Sequence, residues 1–329
     1  MTGLSLYRSN HLEVLGSCLS ENVHASPPAD PFSPLSIVVG SRGMERWLRH
    51  TLADRSGICA NLLCPFPAAT IDRLIAAIQT EAQPGARPVE APTDPWAPPS
   101  LTWAMLAVLP ELVDQPAFAP LASYATWSGD VSAITFGLAR QIADVFDRYI
   151  TYRPEIAAAW SAEAAWQPPP ELAAIVWQPQ LWRAVRAQLG DAPHRGESLA
   201  AALQRLRANR TGALKALLAG QPLRIFGVST LPPSWLDLLG AVARHVPVEL
   251  YLLSPSAVWW EQVGRQARAR PWQGEQGWQS TPRDAVAEQL AEQTDGHPLL
   301  ISLGRAARDF QIALQAQDSN RLHGISTRQ

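Results

Sequence analysis

From Ile37 to Leu52 the sequence reads IVVGSRGMERWLRHTL: a short β-branched run, a tight turn holding Gly40 and Gly43, then a helical pattern. Strand, glycine turn and helix are the layout of a loop that cradles nucleotide phosphates. A working loop of that kind follows GxxxxGK and then Ser or Thr. Its backbone amides bind the phosphates, its lysine meets the β/γ charges, and its hydroxyl reaches magnesium. Here the lysine is missing and the turn is too short. No strand ends in an acidic pair able to hold magnesium, and Ser254, Pro255 and Ser256 follow the last clear one. Hydrolysis of ATP by this chain is not expected, and the chain is expected to bind no cofactor or metal of its own.

What that segment retains is a basic face. At 100° per residue Arg42, Arg46 and Arg49 line one side of the helix and its lead-in, while Met44, Trp47, Leu48 and Thr51 point to the other. Guanidinium groups at a helix N-terminus add to the free N–H groups and the helix dipole in attracting an anion. Two readings follow: a phosphate-binding face for a nucleic acid, or a solvated basic face paired in part with Glu45. Trp47 reads as core. Downstream, Pro65 and Pro67 fix the backbone around Phe66. A rigidly held aromatic ring beside arginines suits stacking of single-stranded bases, and it equally suits plugging the core under a loop.

Other chemistry finds little support. The seven histidines lack HxxxH or HxxE spacing, and no GxSxG elbow occurs. Cys18, Cys59 and Cys64 cannot all pair and lack the partners of a zinc or iron–sulfur site, so they read as buried free thiols. Asp144 and Asp147 share one helix, whereas a nuclease gathers carboxylates from several elements around magnesium, so they read as surface charge.

The elements that must position these residues fall into two patterns. Leu35–Gly40, Leu223–Ser229 and Val248–Ser254 are apolar runs without polar alternation, as in a parallel sheet covered on both faces. Each is followed by a helical pattern, at 43–54, 233–245 and 258–268. This βα alternation implies an α/β domain with sites at the carboxyl ends of its strands. From Leu74 to about Leu218 no strong strand occurs, only helical segments separated by proline-rich breaks. The clearest runs over 131–149, with an apolar stripe of Ile134, Leu138, Ile142, Val145, Phe146 and Tyr149 and an Arg140–Asp144 pair on another face. The expected architecture is a parallel-sheet domain from 1–73 and 222–315, interrupted by an all-helical insertion over 74–221. Residues 273–297 read as a mobile loop, 297–314 return to helical periodicity, and 316–329 read as the tail of a truncated chain.

Composition bounds the function. With 47% hydrophobic and 17% charged residues the chain buries substantial cores. No apolar run approaches the roughly 18 residues of a membrane span, and the N-terminus lacks the pattern of a signal peptide. A soluble, cytoplasmic protein is expected. The net charge of −2 provides no global basic signature, so contact with nucleic acid must come from local patches. Those patches are built of arginine, since Lys215 is the only lysine.

Several blocks together resemble the N-terminal region of the RecC family, the gamma subunit of exodeoxyribonuclease V. They are LYRSNHLEVLGSCL, the block from IVVGSRG through CPFPAATIDRL, LARQIADVFDRYITYRPE, WQPQLWRAV, IFGVSTLPPSWLDLLGAVARHVPVELYLLSPSAVWW and HPLLISLGRAARDF. They occur in family order and cover nearly the whole chain. The resemblance implies a superfamily 1 helicase-like, P-loop-type core that has lost its ATPase motifs, with the helical insertion within it. It implies no intrinsic activity but membership of a RecBCD-type nuclease complex for DNA repair by homologous recombination. The implied partners are a RecB-like helicase–nuclease and a RecD-like helicase, which use ATP and magnesium, together with duplex-end and single-stranded DNA. It further implies guidance of the unwound 3′ strand and Chi recognition. By position, Gly40, Arg42, Arg46, Phe66 and Asp72 would contact the strand, with Ser41 and Arg49 beside them. Several relatives carry glutamine where Gly40 stands, which removes a group suited to a base edge.

Two other classes remain. An active P-loop helicase or NTPase lacks its lysine and magnesium ligands here. A scaffold that meets partner proteins while DNA runs elsewhere would suit Trp177–Trp182 and Trp259–Trp260, although tryptophans more commonly pack cores. AddB-type subunits are a cousin reading, disfavoured by the absent four-cysteine cluster.

Overall fold

The computed structural model describes residues 3–28, 30, 32–80, 94–126, 131–162 and 175–254, with positions 307, 309, 310, 313, 314, 325 and 326. These form two compact units, one from residues 3–74 and those from 211 onward, the other from 75–80 and 94–210.

The first unit is α/β. Its strands are β1 (Gly3–Ser9), β2 (Leu35–Val39), β3 (Leu62–Leu63), β4 (Leu223–Phe226), β5 (Pro247–Leu253) and β6 (Ile325–Ser326). They form one sheet in the order β3-β2-β4-β5-β1-β6, and every pairing among the described residues is parallel. Its helices are α1 (Leu12–Ala25), α2 (Arg42–Ser56), the first part of α3 (Pro67–Gln79), the short α10 (Leu214–Leu217) and α11 (Pro233–Ala243).

Alternation along the strands explains how both faces are filled. Ile37, Val39, Phe226 and Tyr251 pack with Leu15 and Leu19 of α1 and Leu48 and Leu52 of α2. Val38 and Ile225 turn the other way, towards Ile71 of α3, Leu231 ahead of α11 and Leu239 within it. Being covered twice, β2 and β4 carry unbroken apolar runs instead of alternating ones.

The expected strands are present with shifted ends. The run expected over 223–229 stops at Phe226 because Gly227 takes φ +66° and leaves the ladder. The strand expected from Val248 begins at Pro247, and β2 ends one residue earlier than expected. The helix expected over 43–54 spans Arg42–Ser56. Ser41 caps it by accepting from the Met44 N–H at 3.1 Å, and left-handed Gly57 (φ +76°) ends it. β1, β3 and β6 were not expected; β1 pairs with β5 over its whole length. The helix expected over 258–268, the loop over 273–297, Trp259–Trp260 and most of 297–329 lie outside the described residues.

The second unit is helical: the end of α3, α4 (Pro98–Leu112), a 3-10 turn at Pro116–Phe118, α5 (Ala119–Thr126), α6 (Val131–Tyr152), α7 (Pro154–Ser161), α8 (Gln178–Gln188) and α9 (Arg195–Arg207). No strand occurs among its described residues. Its core is rich in tryptophan: Trp96 packs on Trp182 with ring centroids 4.6 Å apart, and Trp160 meets Trp182 at 5.7 Å. Two of these rings place their polar handles on acceptors, Trp96 Nε1 donating to the Ala192 carbonyl and Trp182 Nε1 to Ser161 Oγ. Trp177 and Trp182 are buried side chains of this helical core. Along α6, Ile142 and Phe146 are buried as the stripe requires. The expected Arg140–Asp144 pair does not form. Both side chains are exposed, where such a pair contributes only about 0.3–0.5 kcal/mol against the entropy of holding it. Asp147 is half-buried and faces Arg195 at 3.6 Å, so it is an internal ion-pair partner and not simply surface charge.

Candidate nucleic-acid interface

The candidate residues gather at the carboxyl edge of β2 and β3. Two residues, Gly40 and Ser41, separate β2 from α2. Arg42 opens the helix and Arg46 follows one turn later; both are exposed, and neither has an ion-pair or hydrogen-bond partner among the described residues. Met44, Trp47, Leu48 and Thr51 face inward, with Trp47 stacked on Phe226 at 5.8 Å. Trp47 is therefore core, as its place on the helix implied.

Arg49 behaves differently from its two neighbours. Its guanidinium donates to Glu45 Oε1 from Nε (3.1 Å) and Nη2 (2.9 Å), and Nη2 also donates to the Leu62 carbonyl at 2.7 Å. Donating to the Glu45 carboxylate holds its pKa above the usual arginine range. Arg49 thus ties α2 to β3, leaving Arg42 and Arg46 as the unengaged pair.

Phe66 is brought to the same edge by backbone bonding. The Val39 N–H donates to the Pro65 carbonyl at 3.1 Å, fastening the Pro-Phe-Pro turn to the last residue of β2. The Phe66 carbonyl in turn accepts from the Thr70 N–H and hydroxyl, which starts α3. The ring itself is 41% exposed, so it is not a plug buried under the loop. Asp72 is half-buried on α3, one turn beyond that start, and makes interactions of its own.

Gly40 has neither a positive φ nor a crowded Cβ position. A Cβ there would meet only the Gly227 carbonyl oxygen at 3.7 Å and Val228 at 3.9 Å, ordinary contacts. A Cβ at this position is sterically permitted.

The cysteines are free and half-buried. Cys59 and Cys64 pack against the core beneath α2, and burial pushes the Cys64 thiol up to about 11, well away from reactivity.

The residues that sequence reading missed are those after β4, from Gly227 to Thr230, of which Gly227 and Val228 lie against Gly40. The available signal was IFGVST, an apolar strand running into a glycine and two hydroxyls. Also missed was a buried polar group on the α1 face of the sheet. Arg224 Nε donates to Glu249 Oε2 at 3.0 Å, Tyr251 Oη donates to the same oxygen at 2.8 Å, and Asn22 Nδ2 donates to Tyr251 Oη at 2.8 Å.

A parallel α/β sheet with an arginine-bearing helix at its carboxyl edge and a helical unit within the chain is the arrangement on which the comparisons bear. A family model described as RecC, N-terminal domain matches residues 4–328, and the chain belongs to that family. Among curated relatives, the RecBCD enzyme subunit RecC of Escherichia coli (strain K12) is 31% identical over 335 residues, covering 96% of this chain and 28% of that protein. The same subunit of Mycobacterium tuberculosis (strain CDC 1551 / Oshkosh) is 31% identical over 332 residues, covering 95% and 27%. That of Mycolicibacterium smegmatis is 28% identical over 330 residues, covering 98% and 26%. The chain thus spans roughly a quarter of the length of the relatives it matches. No described helix is long and apolar enough to cross a membrane.

Proposed function

We propose that this chain is the strand-guiding part of a non-catalytic DNA-binding subunit. The subunit would serve a cytoplasmic ATP-dependent helicase–nuclease of the RecBCD type, in double-strand-break repair by homologous recombination. Its partners would be RecB-like and RecD-like subunits, which supply the chemistry that uses ATP and magnesium. Family membership supports this reading. So does the turn between β2 and α2, two residues long and without lysine, which suits an inactive helicase-like core. In that core, 1–73 and 222–315 would form the former motor domain and 74–221 its helical insertion.

The observation that carries the reading is the pairing of unengaged Arg42 and Arg46 with the exposed, proline-held ring of Phe66 at one sheet edge. The guanidinium groups would neutralise phosphates of the unwound 3′-ended strand, and Phe66 would stack a base. Ser41, Arg49 and Asp72 would hold this edge in shape. Sequence recognition on that strand, the Chi function of the family, would fall to the same edge. With no side chain at Gly40, base-edge contacts there differ from those available to relatives with glutamine.

The test is photocrosslinking of the 329-residue chain to single-stranded DNA carrying 5-bromodeoxyuridine, with the crosslinked peptide sequenced. Crosslinks in the peptide holding Phe66, lost in Phe66→Ala, support the proposal. Crosslinks confined to other segments contradict it.

A second reading, a scaffold without its own DNA site, is favoured by one feature of the helical unit. Trp103 (68% exposed) and Phe136 lie 6.0 Å apart across α4 and α6, an exposed aromatic pair suited to a protein interface.

A further inference from the structure

β4 is the parallel neighbour of β2, with Val39 paired to Phe226, so the turns after these two strands emerge side by side. A Cβ on Gly40 would lie 3.7 Å from the Gly227 carbonyl oxygen and 3.9 Å from Val228, which puts the two turns in van der Waals reach. The turn after β4 is firmly held. Gly227 has φ +66° and is capped by Met44 of α2, whose Cε would stand 2.7 Å from a Cβ there. Val228 and Leu231 are buried, while Ser229 and Thr230 between them are exposed. Neither hydroxyl is hydrogen-bonded to a described residue.

We propose that Ser229 and Thr230 form a second wall of the strand site, donating hydrogen bonds to the sugar–phosphate backbone of single-stranded DNA on the side of Gly40 away from Phe66. This rests on the strand-guiding reading above. The order β3-β2-β4 sets Phe66, Gly40 with Arg42, and then Ser229 with Thr230 in succession along one edge. Two strand spacings cover about 10 Å, enough for about three nucleotides at the rise of a single strand in duplex DNA. Hydroxyls suit the far wall because phosphate oxygens accept from Ser and Thr without demanding a charge. The missing side chain at Gly40 leaves the space between the walls open to a base.

The experiment is fluorescence anisotropy of labelled single-stranded DNA with the 329-residue chain over a salt series. Ser229→Ala/Thr230→Ala is compared with Arg42→Ala/Arg46→Ala, and folding of each is checked by circular dichroism. Loss of two neutral hydrogen bonds weakens binding about five-fold or more at fixed salt and leaves the salt slope unchanged, because neutral donors release no counterions. The arginine variant lowers the slope by about one to two. Unchanged affinity of the hydroxyl variant, with the arginine variant weakened, overturns the second wall and leaves the strand site standing. A folded wild-type chain that binds no DNA overturns both.

Discussion

Arg49 donates to both Glu45 and the Leu62 carbonyl, the latter at 2.7 Å, so one side chain joins α2 to β3. Three arginines share a helix face, yet only this one is spent on the fold. Arg49→Ala therefore lowers stability by about 1 kcal/mol, a value kept small by the solvent exposure of the pair. Arg42→Ala and Arg46→Ala change stability by less than about 0.5 kcal/mol. Urea denaturation of the three variants separates them, and equal losses at all three positions would contradict the division.

The two glycines that face each other across β2 and β4 differ in what they tolerate. A Cβ at Gly40 meets only ordinary contacts, so Gly40→Gln is expected to leave stability unchanged within about 0.5 kcal/mol. Gly227→Ala must adopt φ +66° and displace Met44, which costs at least about 1–2 kcal/mol. Thermal unfolding of both variants tests this, and a Gly227→Ala protein as stable as wild type would refute it.

Arg224 is fully buried on β4, and Glu249 is its register partner on β5. Glu249→Gln strips the charge that compensates a buried guanidinium and costs about 3 kcal/mol or more. Replacing both, as Arg224→Met/Glu249→Leu, removes the uncompensated charge and is less damaging than the single change. Chemical denaturation of the double variant beside Arg224→Met and Glu249→Leu alone completes a double-mutant cycle and reads the coupling directly; additive losses would show that the pair is not energetically linked.

His194 caps α9 by accepting from the Gly196 and Glu197 N–H groups through Nδ1, while Glu197 accepts from the His194 N–H. Burial drives its pKa down from 6.5 to about 4, outweighing the opposing pull of Glu197. The folded state therefore favours the neutral ring. The stability it contributes is complete above about pH 6.5 and is lost as pH falls towards 4, by about 3 kcal/mol at most. His194→Asn keeps a capping oxygen and removes this titration. Its stability falls less between pH 7 and 4 than that of wild type, as measured by denaturation at a series of pH values, and parallel curves would sink the assignment.

Much of the sheet was legible because β2, β4 and β5 are covered on both faces and so carry apolar runs that stand out. β1 did not stand out: Ser5, Arg8 and Ser9 interrupt its pattern, and its place comes from pairing with β5 far along the chain. β3 is two residues long, too short to signal itself. The arginine face could be read from helical spacing alone, but the engagement of Arg49 could not, since Leu62 reaches it only through the fold. Proline restraint at Phe66 was visible, whereas its position beside Gly40 depends on the Val39–Pro65 bond. Ser229 and Thr230 were illegible for the same reason: the adjacency of β2 and β4 brings together residues distant in sequence.

In the proposed function Arg42 and Arg46 neutralise phosphates of a single strand. The most direct measurement is the dependence of single-stranded DNA affinity on salt for the wild-type chain and for Arg42→Ala/Arg46→Ala, both verified as folded. The account predicts a steep wild-type slope that falls by about one to two in the variant, with weaker binding throughout at low salt. A folded wild-type chain that does not bind, or a variant with the wild-type slope and affinity, would contradict it.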